Sequence, residues 1–227
     1  LRDIGIDLGL TRERIRQIIN SKFKNLIKPA DIPAITRFSE LLRQQFFWPE
    51  SDLVNLLEEN HLSDIKTNIK GLLRLTIDIG IYHGYELYTP DLKPVTRQTQ
   101  ALFDENFIIH KDNFKTLQSL YKKAQKIPGR CGLANLNTLE DERLTNQELR
   151  IIKLLIKFSE HAWTHEREDG FWYIFENRDN TLINYSEKVF STISYCSAEE
   201  LSITYRNALD SRTHNLPYPD QSIIQQY

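Results

Sequence analysis

Five polar side chains within six residues carry the most explicit chemistry in this sequence: Arg12, Glu13, Arg14, Arg16 and Gln17 of TRERIRQI. Arginine grips the O6 and N7 edge of guanine with two hydrogen bonds. Glutamine matches N6 and N7 of adenine, and glutamate accepts from the N4 amino group of cytosine. Facing outward near the start of one helix, such residues suit base edges in a DNA major groove. Lys22, Lys24 and Lys28 continue the positive charge and suit phosphates. A solvated amphipathic helix with ordinary surface charges is the plainer alternative, and spacing alone leaves it open.

The residues around this cluster describe the elements that must position it. Leu1, Ile4 and Leu8 fall on one helical face. Gly5 is small where a second helix can press close, and Gly9 suits a left-handed helix end. Leu10 is expected to be buried in the turn, with Thr11 as N-cap of the next helix. Ile15, Ile18 and Ile19 then form its inner face. Together they describe a helix-turn-helix whose second helix spans about residues 11–25.

LRDIGIDLGLTRERIRQI, followed by SKFKNL, resembles the helix-turn-helix of region four of bacterial principal sigma factors. The resemblance covers residues 1–28, with TRERIRQI its most specific piece. It implies that Arg12, Glu13 and Gln17 contact bases of a promoter element. It also implies that Thr11, Arg14, Arg16 and Lys22 lie on or near phosphates, and Lys24 extends that set. The sequence after residue 28 is unlike a sigma factor, so the expectation is a sigma-like DNA-reading module on another body.

Charge placement agrees. Residues 1–28 hold seven Lys or Arg against three acids, a local +4 in a chain of formal charge −2, which leaves −6 for the remainder. A basic block on an acidic body suits an anionic partner met by one end. Cys131 and Cys196 are too few for a disulfide framework. No apolar run approaches the ~20 residues of a bilayer span. The expected setting is the cytoplasm, in association with the nucleoid, and no membrane. Methionine is absent and Leu1 comes first, so the sequence reads as a piece of a longer protein.

Beyond Pro29 and Pro33 the chain repeats a layout. ITRFSELLRQQ, SDLVNLLEEN and the segment from Ser63 read as three helices, the last running into an apolar strand. A strand–turn–strand around His83-Gly84 follows. FKTLQSLYKKAQKI, GRCGLANLNTLE and the capped helix TNQELRIIKLLIKFSE repeat the plan, closed by a hairpin turning at Glu168-Asp169-Gly170 in type I′ geometry. YSEKVFSTI and SAEELSITYRNAL begin a third unit. The expected fold is mainly α, of the α+β class. A helix-turn-helix over 1–28 precedes winged-helix units over 31–93 and 94–180 and a partial third over 181–227. That layout resembles bacterial regulatory and genome-defence proteins. Basic residues on the third helices (Lys66, Lys70, Arg74; Arg150, Lys153, Lys157) and around the wings (His83; His165, Arg167, Arg178) are candidates for phosphate contact.

Other constellations read as structural. His161 and His165 flank Trp163 in a strand, with no further ligand at metal-binding spacing. GRCGL is a turn rather than a phosphate loop. Adjacent acids such as Glu58-Glu59 point in different directions on a helix. No nucleophile, base and orienter assemble. The expectation is therefore a non-enzymatic protein without metal or cofactor that binds double-stranded DNA sequence-specifically, as a transcription regulator does. Two other readings stay beside it. One is a module that binds RNA polymerase or another protein, with homodimerisation possible through the body. The other is the DNA-targeting part of a nuclease or restriction system.

Overall fold

The computed structural model describes residues 8–19, 21, 32–63, 67–96, 98–139, 144–209 and 218–227. The chain divides into two compact units. Unit 1 holds residues up to Tyr88 together with Asn106–Asp112; unit 2 holds Thr89–Glu105 and Asn113–Tyr227. Helices dominate, and each unit contains one small antiparallel sheet. The architecture is thus mixed helix and sheet, as expected.

Unit 1 begins with the short helix α1 (Arg12–Ile18). Helix α2 (Pro33–Leu42) starts on a proline, whose fixed φ suits a first helical turn. Its Ile35, Phe38, Leu41 and Leu42 are buried, the face that periodicity predicts. Strand β1 (Phe47–Pro49) leads directly into α3 (Glu50–Glu59), where Glu50 and Asp52 meet the positive end of the helix dipole. Helix α4 (Ile69–Asp78) is capped by the Asn68 side chain, which accepts from the Gly71 amide at 2.9 Å.

Two expectations fail after α4. The apolar run expected to pass into a strand stays helical to Asp78 with no strand over 79–84, and residues 81–84 form no hairpin. Strand β2 (Tyr85–Tyr88) pairs instead with β3 (Phe107–His110), nearly twenty residues further on. Strand β3 also pairs with β1, so the sheet order is β1-β3-β2. Phe107, Ile108 and Ile109 are wholly buried, as a central strand covered on both faces requires. The expected boundary at 93/94 therefore falls inside the β2–β3 connection.

Unit 2 is organised by the long helix α5 (Lys111–Cys131), whose first two residues still belong to unit 1. Strand β4 (Ala134–Asn135), a 3-10 turn over Leu136–Leu139, and helix α6 (Asn146–Lys157) follow. The Thr145–Glu148 capping box forms as predicted. Strands β5 (Ala162–Arg167) and β6 (Gly170–Phe175) make the hairpin, and β6 takes the centre in the order β4-β6-β5. The turn lies where expected, but neither Glu168 nor Asp169 has a positive φ, so it is not type I′.

Every residue from Phe171 to Phe175 is buried, so both faces of β6 are covered. Tyr173 and Phe175 pack with Tyr121 of α5 on one face. Trp172 and Ile174 face a cluster built by the last helices, α7 (Thr181–Phe190), α8 (Ala198–Leu209) and α9 (Gln221–Gln226). Leu182, Tyr205, Leu209 and Ile223 supply its centre. The segment expected to begin a third unit thus covers this sheet, and its described residues contain no strand.

Candidate nucleic-acid interface

The approach to α1 follows from two local choices. Gly9 has φ +63°, a left-handed conformation that side chains disfavour, and it turns the chain before the helix. Thr11 then adopts extended backbone (φ −69°, ψ 150°), and its hydroxyl accepts from the Arg14 amide at 3.2 Å. That hydrogen bond satisfies one of the amide donors that every helix start leaves open. The predicted N-cap is therefore in place, and the Thr11 hydroxyl is engaged by its own helix.

Ile15 is the buried anchor of α1, 4 % exposed. Ile18 is half-buried. Leu8, Leu10 and Ile19, expected to be covered, are exposed instead. A helix of seven residues turns a single line of side chains inward, and Ile15 occupies it.

Around Ile15, the side chains of Glu13, Arg14, Arg16 and Gln17 are all exposed. The structure brings them together as two intrahelical pairs. Glu13 takes Arg16 in a two-pronged ion pair, with Arg16 Nε donating at 2.9 Å and Nη2 at 2.7 Å. Arg14 Nη1 donates to Gln17 Oε1 at 3.4 Å. Glu13 raises the Arg16 pKa through the hydrogen bond and its charge. Exposed pairs of this spacing contribute little to stability, so they exchange readily for external partners. Arg12 opens the helix, and its side chain lies outside the described residues, as do Lys22 and Lys24.

Several of the other predicted basic positions are less available, whereas Arg150, Lys157 and Arg178 are exposed. His83 is buried, where its ring serves the backbone of unit 1 rather than a surface. Arg74 lies 3.8 Å from Asp78. In unit 2, Lys153 of α6 pairs with Glu166 of β5, whose carboxyl is held below its usual pKa by that contact. Arg167, at the hairpin end, is bound by Asp169 and Asp220, each at 3.2 Å. Lys66 lies outside the described residues. His165 stacks on Trp163 with ring centroids 5.8 Å apart. Among the described residues, no group of three or more His, Cys, Asp or Glu stands together as metal ligands would. No described helix is long and apolar enough to cross a membrane.

Sequence reading looked for cations on third helices and hairpins and passed over α5. That helix presents Lys122, Lys126 and Arg130 to solvent on one edge. Their four-residue spacing, in a stretch without acids, was the available signal. No family model, curated protein or solved structure matches this chain.

Proposed function

We propose that this chain is a sequence-specific double-stranded DNA-binding protein that reads the major groove with the helix beginning at Arg12. The observation carrying this reading is the arrangement of α1. A left-handed glycine and a threonine cap precede it, Ile15 anchors it, and Glu13, Arg14, Arg16 and Gln17 face solvent. Arg12, Glu13 and Gln17 take the bases. Thr11, Arg14, Arg16, Lys22 and Lys24 take the backbone, the Thr11 hydroxyl using its remaining lone pair and proton. Transcription regulation is the biological role this activity fits.

The two units are read as winged helices. Three helical segments, a short strand after the first, and a later pair of antiparallel strands recur in both, joined by a tight turn only in unit 2, with the last strand central each time. This shared order of elements supports the winged-helix reading without assigning both units to DNA.

A second reading, a partner-protein surface, is favoured by one observation. Ile193 and Tyr195, in the connection between α7 and α8, are exposed, Tyr195 at 80 %, and line one surface cavity. Exposed apolar side chains gathered on one surface mark interaction sites.

The test is selection from a random duplex pool at physiological salt, with the parent beside Arg12→Ala/Gln17→Ala. The expected result is a short enriched motif that the variant loses, with Arg12→Ala alone costing about 1–3 kcal/mol on that site. An absence of enrichment, with parent and variant alike, rejects DNA reading by α1.

A further inference from the structure

A second basic surface lies on unit 2. From Asn113 to Cys131, α5 carries Lys115, Lys122, Lys123, Lys126 and Arg130 and neither Asp nor Glu. This run sits in a chain that carries −6 beyond residue 28. Lys122, Lys126 and Arg130 recur every fourth residue, so they share one edge of the helix at a rise of about 6 Å each. All three are exposed, while Leu117, Tyr121, Ala124 and Pro128 turn inward.

Arg178, just beyond β6, lies against this edge, with Nη2 donating to Gln125 Oε1 at 2.8 Å. Two adjoining surface cavities share that pair. One, about 240 Å³, is lined by Lys93, Lys122, His161 and Arg178 among others. The other, about 600 Å³, includes Lys126, Gly129, Arg130 and Arg178. The carboxylates lining them are Asp91 and Asp179, and both are oriented by neutral donors rather than by the cations of this edge. Asp91 accepts from the Tyr121 and Ser159 hydroxyls at 3.0 and 2.7 Å. Asp179 accepts from the Asn184 amide at 2.8 Å. Among the described residues, none of Lys93, Lys122, Lys126, Arg130 and Arg178 has a carboxylate within ion-pair distance. On α6 and the hairpin of the same unit, by contrast, Lys153 and Arg167 are neutralised by acids.

We infer that this edge of α5 is a second DNA-contact surface, at which Lys122, Lys126 and Arg130, flanked by Lys93 and Arg178, hold the phosphodiester backbone. The inference rests on the DNA-binding reading above. It places unit 2 on DNA through its first helix, where Lys122, Lys126 and Arg130 share one edge. The composition of the edge favours a nucleic acid over a protein. Protein interfaces centre on buried apolar and aromatic anchors and are poor in lysine. This edge is lysine-rich, and none of the chain's exposed large apolar side chains lies on it. Backbone neutralisation needs cations alone and is indifferent to base sequence.

The test compares the whole chain with its Lys122→Gln/Lys126→Gln/Arg130→Gln variant. Each is titrated onto a random-sequence duplex and onto the duplex enriched by selection, between about 50 and 200 mM salt. The variant is expected to show a slope of log affinity against log salt shallower by about 2–3, at roughly 0.9 for each phosphate that is no longer neutralised. Affinity should fall by a similar factor on both duplexes, and the selected motif should persist. Lys122→Arg/Lys126→Arg, which keeps the charges, should keep the parent slope, and matching thermal melts verify folding. An unchanged slope in the triple variant overturns the inference and leaves the reading of α1 standing. A parent that binds without any motif, and loses that binding in the triple variant, upholds the edge and overturns the reading of α1. Absence of DNA affinity in the parent overturns both. Displacement of duplex by polyglutamate as effective as by DNA overturns the assignment to nucleic acid.

Discussion

His83 is buried with both ring nitrogens engaged. In the neutral tautomer protonated at Nε2, it donates to the Leu73 carbonyl at 3.0 Å, and Nδ1 accepts from the Tyr85 amide at 3.0 Å. A second proton would sit where the Tyr85 N–H points. Burial lowers the His83 pKa most; the Leu73 carbonyl works the other way, and the charges of Arg43 and His110 lower it further. The sign of the stability effect follows. The unfolded chain gains a proton near pH ~6.5, while the folded chain resists it to lower pH. Unfolding therefore takes up a proton in that window, and stability present above pH ~6.5 is lost as pH falls below it. We expect the thermal midpoint to fall between pH 7.5 and 5.5, and to fall less in His83→Gln. Equal pH dependence in the two proteins would remove His83 from this role. The same burial explains why a histidine read from sequence as a wing residue is unavailable to phosphate.

At the scale of elements, α5 shows how one residue choice is answered elsewhere. Pro128 lies inside the helix and has no amide proton, so the Ala124 carbonyl four residues earlier loses its helical partner. Tyr173 of the central strand supplies the missing donor, its hydroxyl reaching Ala124 O at 3.1 Å inside the core. Tyr173→Phe should therefore cost about 1–3 kcal/mol in chemical denaturation, because it strands a buried carbonyl. In a Pro128→Ala background the restored amide can take over, and the same change should cost measurably less. Identical costs in both backgrounds would show that the Tyr173 hydrogen bond is not compensating for Pro128. Local signals read this level well. Thr11 and Thr145 cap the helices they were expected to cap, since capping depends on residues within four positions. The FIIH strand was missed because its partners lie twenty and sixty residues away, and three consecutive apolar residues show no alternation.

Across the whole molecule, the last helices complete unit 2 rather than opening another. Trp172 and Ile174 would be solvent-facing without Leu182, Tyr205, Leu209 and Ile223 over them. Asn180 fastens this layer. Its amide donates to the Pro128 and Gly132 carbonyls at 2.9 and 2.7 Å, and its oxygen accepts from Leu182 and Ile183 amides. A chain ended at Asp179 should therefore expose the outer face of β6 and lose the cooperative unfolding of unit 2, read by tryptophan fluorescence and dye binding. Native-like unfolding of that truncated chain would show that α7–α9 are not part of this core. The distribution of charge is also a property of the folded molecule. A net figure of −2 conceals the exposed edge of α5, where Lys122, Lys126 and Arg130 have no carboxylate within ion-pair distance among the described residues.

Sequence alone determined what depends on neighbours a few positions apart: helix faces, caps, the left-handed turn at Gly9, and the exposed polar set of α1. Tertiary structure decided what depends on distant partners. It placed β3 at the centre of the first sheet and joined residues 181–227 to the second. It buried His83 and assigned Lys153 and Arg167 to acids while leaving Lys122, Lys126 and Arg130 without them. The reason is that helix periodicity and capping are local hydrogen-bond problems. Strand pairing, burial and ion pairing are settled only when segments far apart in the chain meet.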